Sequence, residues 1–537
     1  MSSPGTAAQF DFANDESFHN RQRFVDESKL YRGIDQDQPR RPDDREPVLG
    51  FSHDFASNQS GSVLYTFGTT QEPAVNYRTA GGDVELRPWW LTSSCYGDIN
   101  NMISKHHEAF AATAEAATRW TQQLREDVAS YYADERDAEA DATNISSGTA
   151  SSLSEAGSYY AILALSGRQI MAASVPTESR PNSAEPIIFQ KEISSDGKTN
   201  TADVIYPALP FWLYANPELL GLLLAPVFEF QETGMFHEPH AIHDIGRHYP
   251  NAIGYNDSRP VAGGEEAMPV EESANMVILA YAYWKATNDT QYLASHFSIL
   301  TQWAEYLAKN CLYPVDQVTS GSFPTSTSFT IYGLTDIDDF NAHLANNTNL
   351  AIKGIVALSA YSHIALALDE STTAAQYASL AISYYTTWES EAIDPSHTHT
   401  TLAYQWTSSY IILYNTYPAL LLNLSILPSS LYHMQSKFYP SKRQRYGVPL
   451  DNRQLWTKSD WEMWAAATSS TTTRKLFVDT LAEWVNETET DTAFCDHFMT
   501  DSGGYSDYLF IARPVVGGHF SLLALQKAGR HRVLEDD

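Results

Sequence analysis

Cysteine is nearly absent: the 537 residues hold three, Cys95, Cys311 and Cys495, far apart and without C-x-x-C spacing. That indicates neither a disulfide framework nor a cysteine-ligated zinc site, and leaves one disulfide with an odd thiol as the most the chain could form. Positive charge is short as well. Thirty-four Lys and Arg stand against 65 Asp and Glu, a net charge of −31, which argues against nucleic acid and anionic membrane as partners. No apolar run approaches the ~18 residues of a membrane span. The start, Met1-Ser-Ser-Pro-Gly, lacks the apolar stretch of a signal peptide. There is no G-x-S-x-G. Ser195-Asp-Gly-Lys198 fits S-x-x-K, but it lies on a glycine turn and opens no helix that would present the Ser to the Lys. His237-Glu-Pro-His240 with His243 fails as a zincin, because Pro239 opposes the helix that would put both imidazoles on one face. No metal and no cofactor are expected.

What the chain does have is an apolar, aromatic-rich composition, with 12 Trp, 31 Tyr and 23 Phe. That describes a packed globular protein, and filling the core is the ordinary use of such rings. Seven N-x-S/T sequons, at Asn58, Asn144, Asn256, Asn288, Asn346, Asn423 and Asn486, hint at secretion, although a Ser/Thr-rich chain produces several by chance.

Three regions follow from the pattern. Residues 1–46 are polar, end in a Pro- and charge-rich linker, and are expected to be poorly ordered. Residues 47–155 begin with strand-like runs at Val48-Leu-Gly-Phe-Ser-His-Asp-Phe55 and Ser62-Val-Leu-Tyr-Thr-Phe67, then turn helical from about Ile99. Residues 156–537 read as eleven or so helices, near 158–174, 207–231, 269–287, 290–310, 349–368, 371–390, 405–424, 428–438, 458–468, 471–486 and 514–528. Consecutive antiparallel pairs of that kind predict an α/α toroid, with function at the funnel formed by the connecting loops. A small hairpin is expected from Phe189–Ile193 and Asp203–Tyr206.

Carboxylates gather ahead of helix starts. Thr335-Asp-Ile-Asp-Asp-Phe340 precedes the cap residues Asn347-Thr-Asn349, and Glu271 and Glu272 fall in the first turn after Pro269. A helix N-terminus favours an ionised acid. Paired carboxylates are what water activation by general acid–base action needs, whether for an amide or a glycosidic bond. The same residue types also serve as ordinary helix caps. His243-Asp244 is a pair in which the acid orients the imidazole, or a structural hydrogen bond. Lys458 and Arg513 would hold a substrate carboxylate, or one of the acids near them such as Asp460.

Several of these stretches, in order, resemble the fungal glutaminase A family. They are Lys191-Glu-Ile-Ser-Ser195, Asp203-Val-Ile-Tyr-Pro-Ala208, Asn216-Pro-Glu-Leu-Leu220, Ala241-Ile-His-Asp-Ile-Gly246, Met268-Pro-Val-Glu-Glu-Ser273, Asp338-Asp-Phe340 with Asn347-Thr-Asn-Leu350 and Lys353-Gly-Ile355, Tyr446-Gly-Val-Pro-Leu-Asp451, Thr457-Lys-Ser-Asp-Trp-Glu-Met463 and Arg513-Pro-Val-Val-Gly-Gly-His519. The resemblance runs from about Ser158 to Leu525, and residues 47–78 are similar to the second half of the family's β-rich domain. It implies a mainly α protein, a six-hairpin (α/α)6 toroid behind a partial β-rich N-terminal domain. It also implies a secreted hydrolase that converts L-glutamine to L-glutamate and ammonia, with a small amide as its substrate. Against the family pattern this chain is expected to lack the signal peptide and the first half of the β domain. On chemistry, Asp339 is the expected general base and Glu272 its partner acid, with Asp338 and Glu271 as alternates. Lys458, Asp460, Arg513 and Asp244 are the expected substrate-binding residues. A toroidal glycoside hydrolase and an inactive binding relative are the alternatives. Oligomeric state is not legible.

Overall fold

The computed structural model describes residues 8–13, 17–30, 48–53, 60–133, 154–194, 197–254, 267–315, 344–490, 492–505 and 510–530. Asp338 and Asp339 lie outside the described residues. The chain divides into two compact units, residues 1–70 with 103–110, and residues 71–102 with 111–537.

In the first unit, strand Ala8–Ala13 pairs antiparallel with Val48–His53, and helix Ser17–Glu27 lies between them in sequence. The described residues within 1–46 include these two regular elements. The run Gln9-Phe-Asp-Phe12 alternates polar and apolar, and a two-residue period becomes a strand once a partner such as Val48–His53 supplies the ladder. The strand expected at Ser62–Phe67 is irregular chain instead, with the Phe67 side chain 91% exposed. A β-type run gains little from the pleat where nothing covers its face.

The second unit is a closed double ring of helices. Six elements form the inner ring: Ala202–Ile205 continuing as Leu209–Ala215, then Pro269–Thr287, Thr348–Ala367, the short Tyr414–Thr416 and Tyr417–Leu421, Ser459–Ala467, and Pro514–Phe520 continuing as Ser521–Lys527. Each packs on the next, and the last returns to the first. Outside them lie Pro217–Glu232, Thr290–Asn310, Ser371–Ala392, Ser429–Phe438 and Thr471–Glu487, each following its inner partner in the chain. The sixth outer helix, Glu155–Ala173, comes first in sequence and packs on the last inner element, which closes the ring. This is the ring of helical hairpins expected from the pattern, with the six hairpins that the resemblance implied.

The two rings differ as their sequences do. Thr290–Asn310 buries Leu293, Ile299, Leu300, Trp303, Ala304 and Leu307, one stripe at helical spacing, because only one side meets protein. Thr348–Ala367 is buried from Thr348 to Ser362, because an inner helix is covered all round. By length and composition it would suffice to cross a membrane, contrary to the reading that no such run exists, but it is 83% buried inside the ring.

Two further expectations are corrected. The region 405–424 has no long helix, only the short elements Tyr414–Thr416 and Tyr417–Leu421. Thr407, Ser408 and Ser409 favour local side-chain hydrogen bonds over a helix, and Pro418 suits a first turn rather than an interior. Asp203–Ile205 is helical with Tyr206 as its C-cap, and strand Pro186–Gln190 pairs back with Ser174–Glu178. Four residues are too few for period two to be told from a buried helical turn.

Candidate functional site

The N-terminal ends of the inner elements all contribute to one buried polar group, and five of the six supply charges. Asp203 lies on Ala202–Ile205. Glu271 and Glu272 occupy the first turn of Pro269–Thr287, where the backbone N–H that Pro269 lacks would have had no intrahelical partner. Lys353 follows the cap of Thr348–Ala367, where the Asn347 side chain accepts from the Asn349 and Leu350 amides. Asn415 belongs to the fourth inner element, and it accepts the Tyr206 hydroxyl at 3.2 Å. Lys458 and Arg513 cap the fifth and sixth. His243 and Asp244 come from the segment ahead of the second inner helix, and Glu192 and Lys198 from the turn ahead of the first.

At the centre stands His243. Its Nδ1 shares a hydrogen bond with Asp244 Oδ2 at 2.9 Å, and the other Asp244 oxygen accepts the Gly246 amide at 2.9 Å. Nε2 faces Asp203 Oδ1 at 3.7 Å and Glu272 Oε1 at 3.8 Å. Those two oxygens are buried and have no hydrogen-bond partner. Asn275 Nδ2 donates to Glu272 Oε2 at 3.0 Å, which turns Oε1 inward. Burial and Lys198 oppose a charge on His243, but the Asp244 hydrogen bond and the charges of Asp203 and Glu272 prevail and raise it to about 10. Burial, reinforced by Asp203, pushes Glu272 well above the usual carboxylate range against the pull of His243.

The neighbouring charges are paired. Glu271 receives the Lys353 ammonium, which also sits 3.9 Å over the Tyr206 ring. Burial lowers Lys353 while Glu271 opposes the shift. Arg513 forks onto Asp496 at 3.3 and 3.1 Å, and its guanidinium lies 4.0 Å over the Phe510 ring. Lys458 is 3.5 Å from Asp460 Oδ2. Glu192 accepts the Lys198 amide at 3.0 Å, and burial raises it to about 8 although Lys198 and Arg513 pull it down. Electrostatic coupling of Asp203 to Glu272, His243, Glu192 and Arg513 makes this one network.

The structure therefore brings Glu272, Glu271, Asp244, Lys458, Asp460 and Arg513 together, and places Asp339 and Asp338 outside what it describes. Within the network, Glu271 is engaged by Lys353, and Asp244 holds His243 rather than facing open space. Residue-by-residue reading passed over Asp203, Glu192, Lys353 and Asp496, and weighed Lys198 only as part of S-x-x-K. A signal existed for two of them. Lys353 interrupts the apolar run Ala351-Ile-Lys-Gly-Ile-Val356, and Asp203 precedes Val204-Ile205; a charge inside an otherwise buried stretch is costly without a partner. Asp496-His497 carries no comparable mark.

The aromatics near the network are packed inside the ring. Trp461 stacks on Tyr414 at 4.0 Å, and Tyr206 lies edge-on to Trp464 at 5.1 Å; all four are buried. Among the described residues these rings form no open stacking platform.

Compared with known proteins, residues 156–523 match the glutaminase A six helical-hairpin domain, and residues 2–127 match a domain of unknown function. The chain is 37% identical to glutaminase A of Aspergillus oryzae over 89% of its own length and 63% of that protein's. It is 30% identical to a probable glutaminase of Arthroderma benhamiae, over 90% of this chain and 61% of the other. The chain thus spans less than two thirds of these curated relatives. Among solved structures, a metal-independent α-mannosidase of Streptococcus pneumoniae aligns with TM-score 0.48 at 14% identity, over 78% of this chain and 99% of that one. A bacterial glucoamylase complexed with acarbose aligns with TM-score 0.42 at 8% identity, over 62% and 49%.

Proposed function

The chain belongs to the glutaminase A six-hairpin family, and from that premise we propose that it hydrolyses the side-chain amide of L-glutamine to L-glutamate and ammonia. The observation that carries this reading is the convergence of Asp203, His243 and Glu272, two carboxylates and an imidazole whose inward oxygens have no other partner. A water at that point is polarised for attack on the carboxamide carbon. Asp203, whose side chain is 20% exposed and so the most accessible of the three, takes its proton. The Asp203–Glu272 pair returns a proton to the departing nitrogen as the C–N bond breaks. Asp244 keeps the imidazole in place. Lys458 and Arg513 hold the substrate's α-carboxylate and Asp460 its α-ammonium. An amino acid suits a compact, charged site, whereas a sugar chain asks for a long groove with stacking rings. The buried packing of Tyr206, Tyr414, Trp461 and Trp464 supports the first.

The test is ammonia release from L-glutamine, beside an oligosaccharide panel. Asp203→Asn is expected to lower kcat by about 10²–10⁴-fold, the range for a lost acid–base group. Asp339→Asn, the base chosen from sequence, separates the two assignments: if it alone abolishes turnover, the proton goes to Asp339. Sugar release without ammonia would reject the amide reading.

A further inference from the structure

We propose that Asp203, His243 and Glu272 form a binding site for one first-row divalent cation, with zinc and manganese the best-matched ions. One potential ligand atom from each residue lies within 4.8 Å of the other two. His243 Nε2 stands 3.7 Å from Asp203 Oδ1 and 3.8 Å from Glu272 Oε1. Those separations are too long for hydrogen bonds. They leave room for an ion at about 2.1–2.4 Å from each atom, the range of nitrogen and oxygen ligands.

The support behind the ligands is a second, independent observation. Glu272 Oε1 and Asp203 Oδ1 are buried without a partner. His243 and Glu272 are held from behind. His243 Nδ1 is bound by Asp244 at 2.9 Å, Asp244 by the Gly246 amide at 2.9 Å, and Glu272 Oε2 by Asn275 at 3.0 Å. A carboxylate behind a histidine that faces the site with Nε2 is the support that metal-ligating imidazoles have, fixing the ring's orientation; an ion there would displace the proton that the surrounding carboxylates otherwise keep on the ring. The imidazole disfavours magnesium and calcium, which prefer oxygen alone, and the absence of thiolate disfavours copper(I).

The site coincides with the seat of the attacking water, so its catalytic consequence rests on the amide-hydrolysis reading, while the binding itself does not. A bound divalent ion would polarise that water in place of the bare carboxylates.

The experiment uses the full chain, stripped with a chelator, reloaded with zinc or manganese and gel-filtered. Elemental analysis and thermal melting are the readouts. The expected result is about one retained ion per chain and a raised Tm. Asp203→Asn should lose both effects. Asp203 is part-exposed, so this variant folds more readily than Glu272→Gln, which serves as the second. Glu232→Gln, on an outer helix, should behave as the wild type. No retained ion and an unchanged Tm in the wild type would overturn the proposal. So would an Asp203→Asn variant that keeps as much metal as the wild type. Ammonia release separates the two readings. Full activity of the stripped, ion-free protein would overturn the ion's catalytic role and leave amide hydrolysis standing. One ion retained with no ammonia released would sustain the site and reject the glutaminase reading.

Discussion

His519 shows what burial does to a single side chain. Ser166 Oγ donates to the Ile162 carbonyl at 2.8 Å, so it receives the His519 Nδ1 proton at 2.6 Å, and Nε2 is left as a bare acceptor without a partner. Burial lowers this imidazole to about 3. The unfolded chain takes up the proton near the ordinary value of about 6.5, and the folded chain only near the lower one. Between them the unfolded state binds more protons, so His519 adds stability above about pH 6.5 that is lost as pH falls toward its folded value. Urea unfolding of the wild type should weaken by up to about 1.4 kcal/mol per pH unit across that window from this group alone. His519→Gln should flatten the slope; an unchanged slope would place the acid sensitivity in the carboxylates instead. The same physics governs legibility at the site. Glu272, Lys458 and Arg513 stood out because they are charges at helix starts. Asp203 did not, because one acid before Val204-Ile-Tyr206 has the same letters whether it ends a strand or opens a buried helical turn.

At the scale of the element, the inner helices need close approach as much as apolar surface. Gly354 lies on the third inner helix, and a Cβ there would meet Cys311 Sγ at 2.9 Å and press on its Cβ. An alanine gains about 1 kcal/mol of helix propensity over glycine. The clash is with an atom fixed to the backbone, so overpacking should win, for a net cost of about 1–3 kcal/mol. Urea unfolding of Gly354→Ala measures it, and a stabilised variant would show that the two helices can slide apart freely. Helix boundaries at Pro269, Thr290 and Ser371 were legible because caps, prolines and turn residues act locally. The fourth inner element was not: a Thr- and Ser-rich stretch with Pro418 carries the right letters for a helix end, but its length is set by the neighbours it must fit between.

The whole molecule carries a charge of −31. Like charge on a closed surface repels itself, and salt screens that repulsion over about 10 Å at 0.1 M. The buried pairs Lys353–Glu271 and Arg513–Asp496 are largely outside such screening. The Tm should therefore rise between about 10 mM and 0.2 M sodium chloride at fixed pH. A fall would mean that exposed pairs such as Arg445–Glu487 and Arg78–Asp83 outweigh the net repulsion. By itself the amino-acid order determined the helical periods and most of their boundaries, since each is settled within a few residues. That was enough for the ring of hairpins. Only the tertiary structure decided which charges meet. Asp203, His243, Glu272, Lys353 and Arg513 are spread over 311 positions of chain, and closing the ring brings the segments that carry them together. Their distances and their pairing follow from that closure, because electrostatic partners are chosen by proximity in space and not by spacing in sequence.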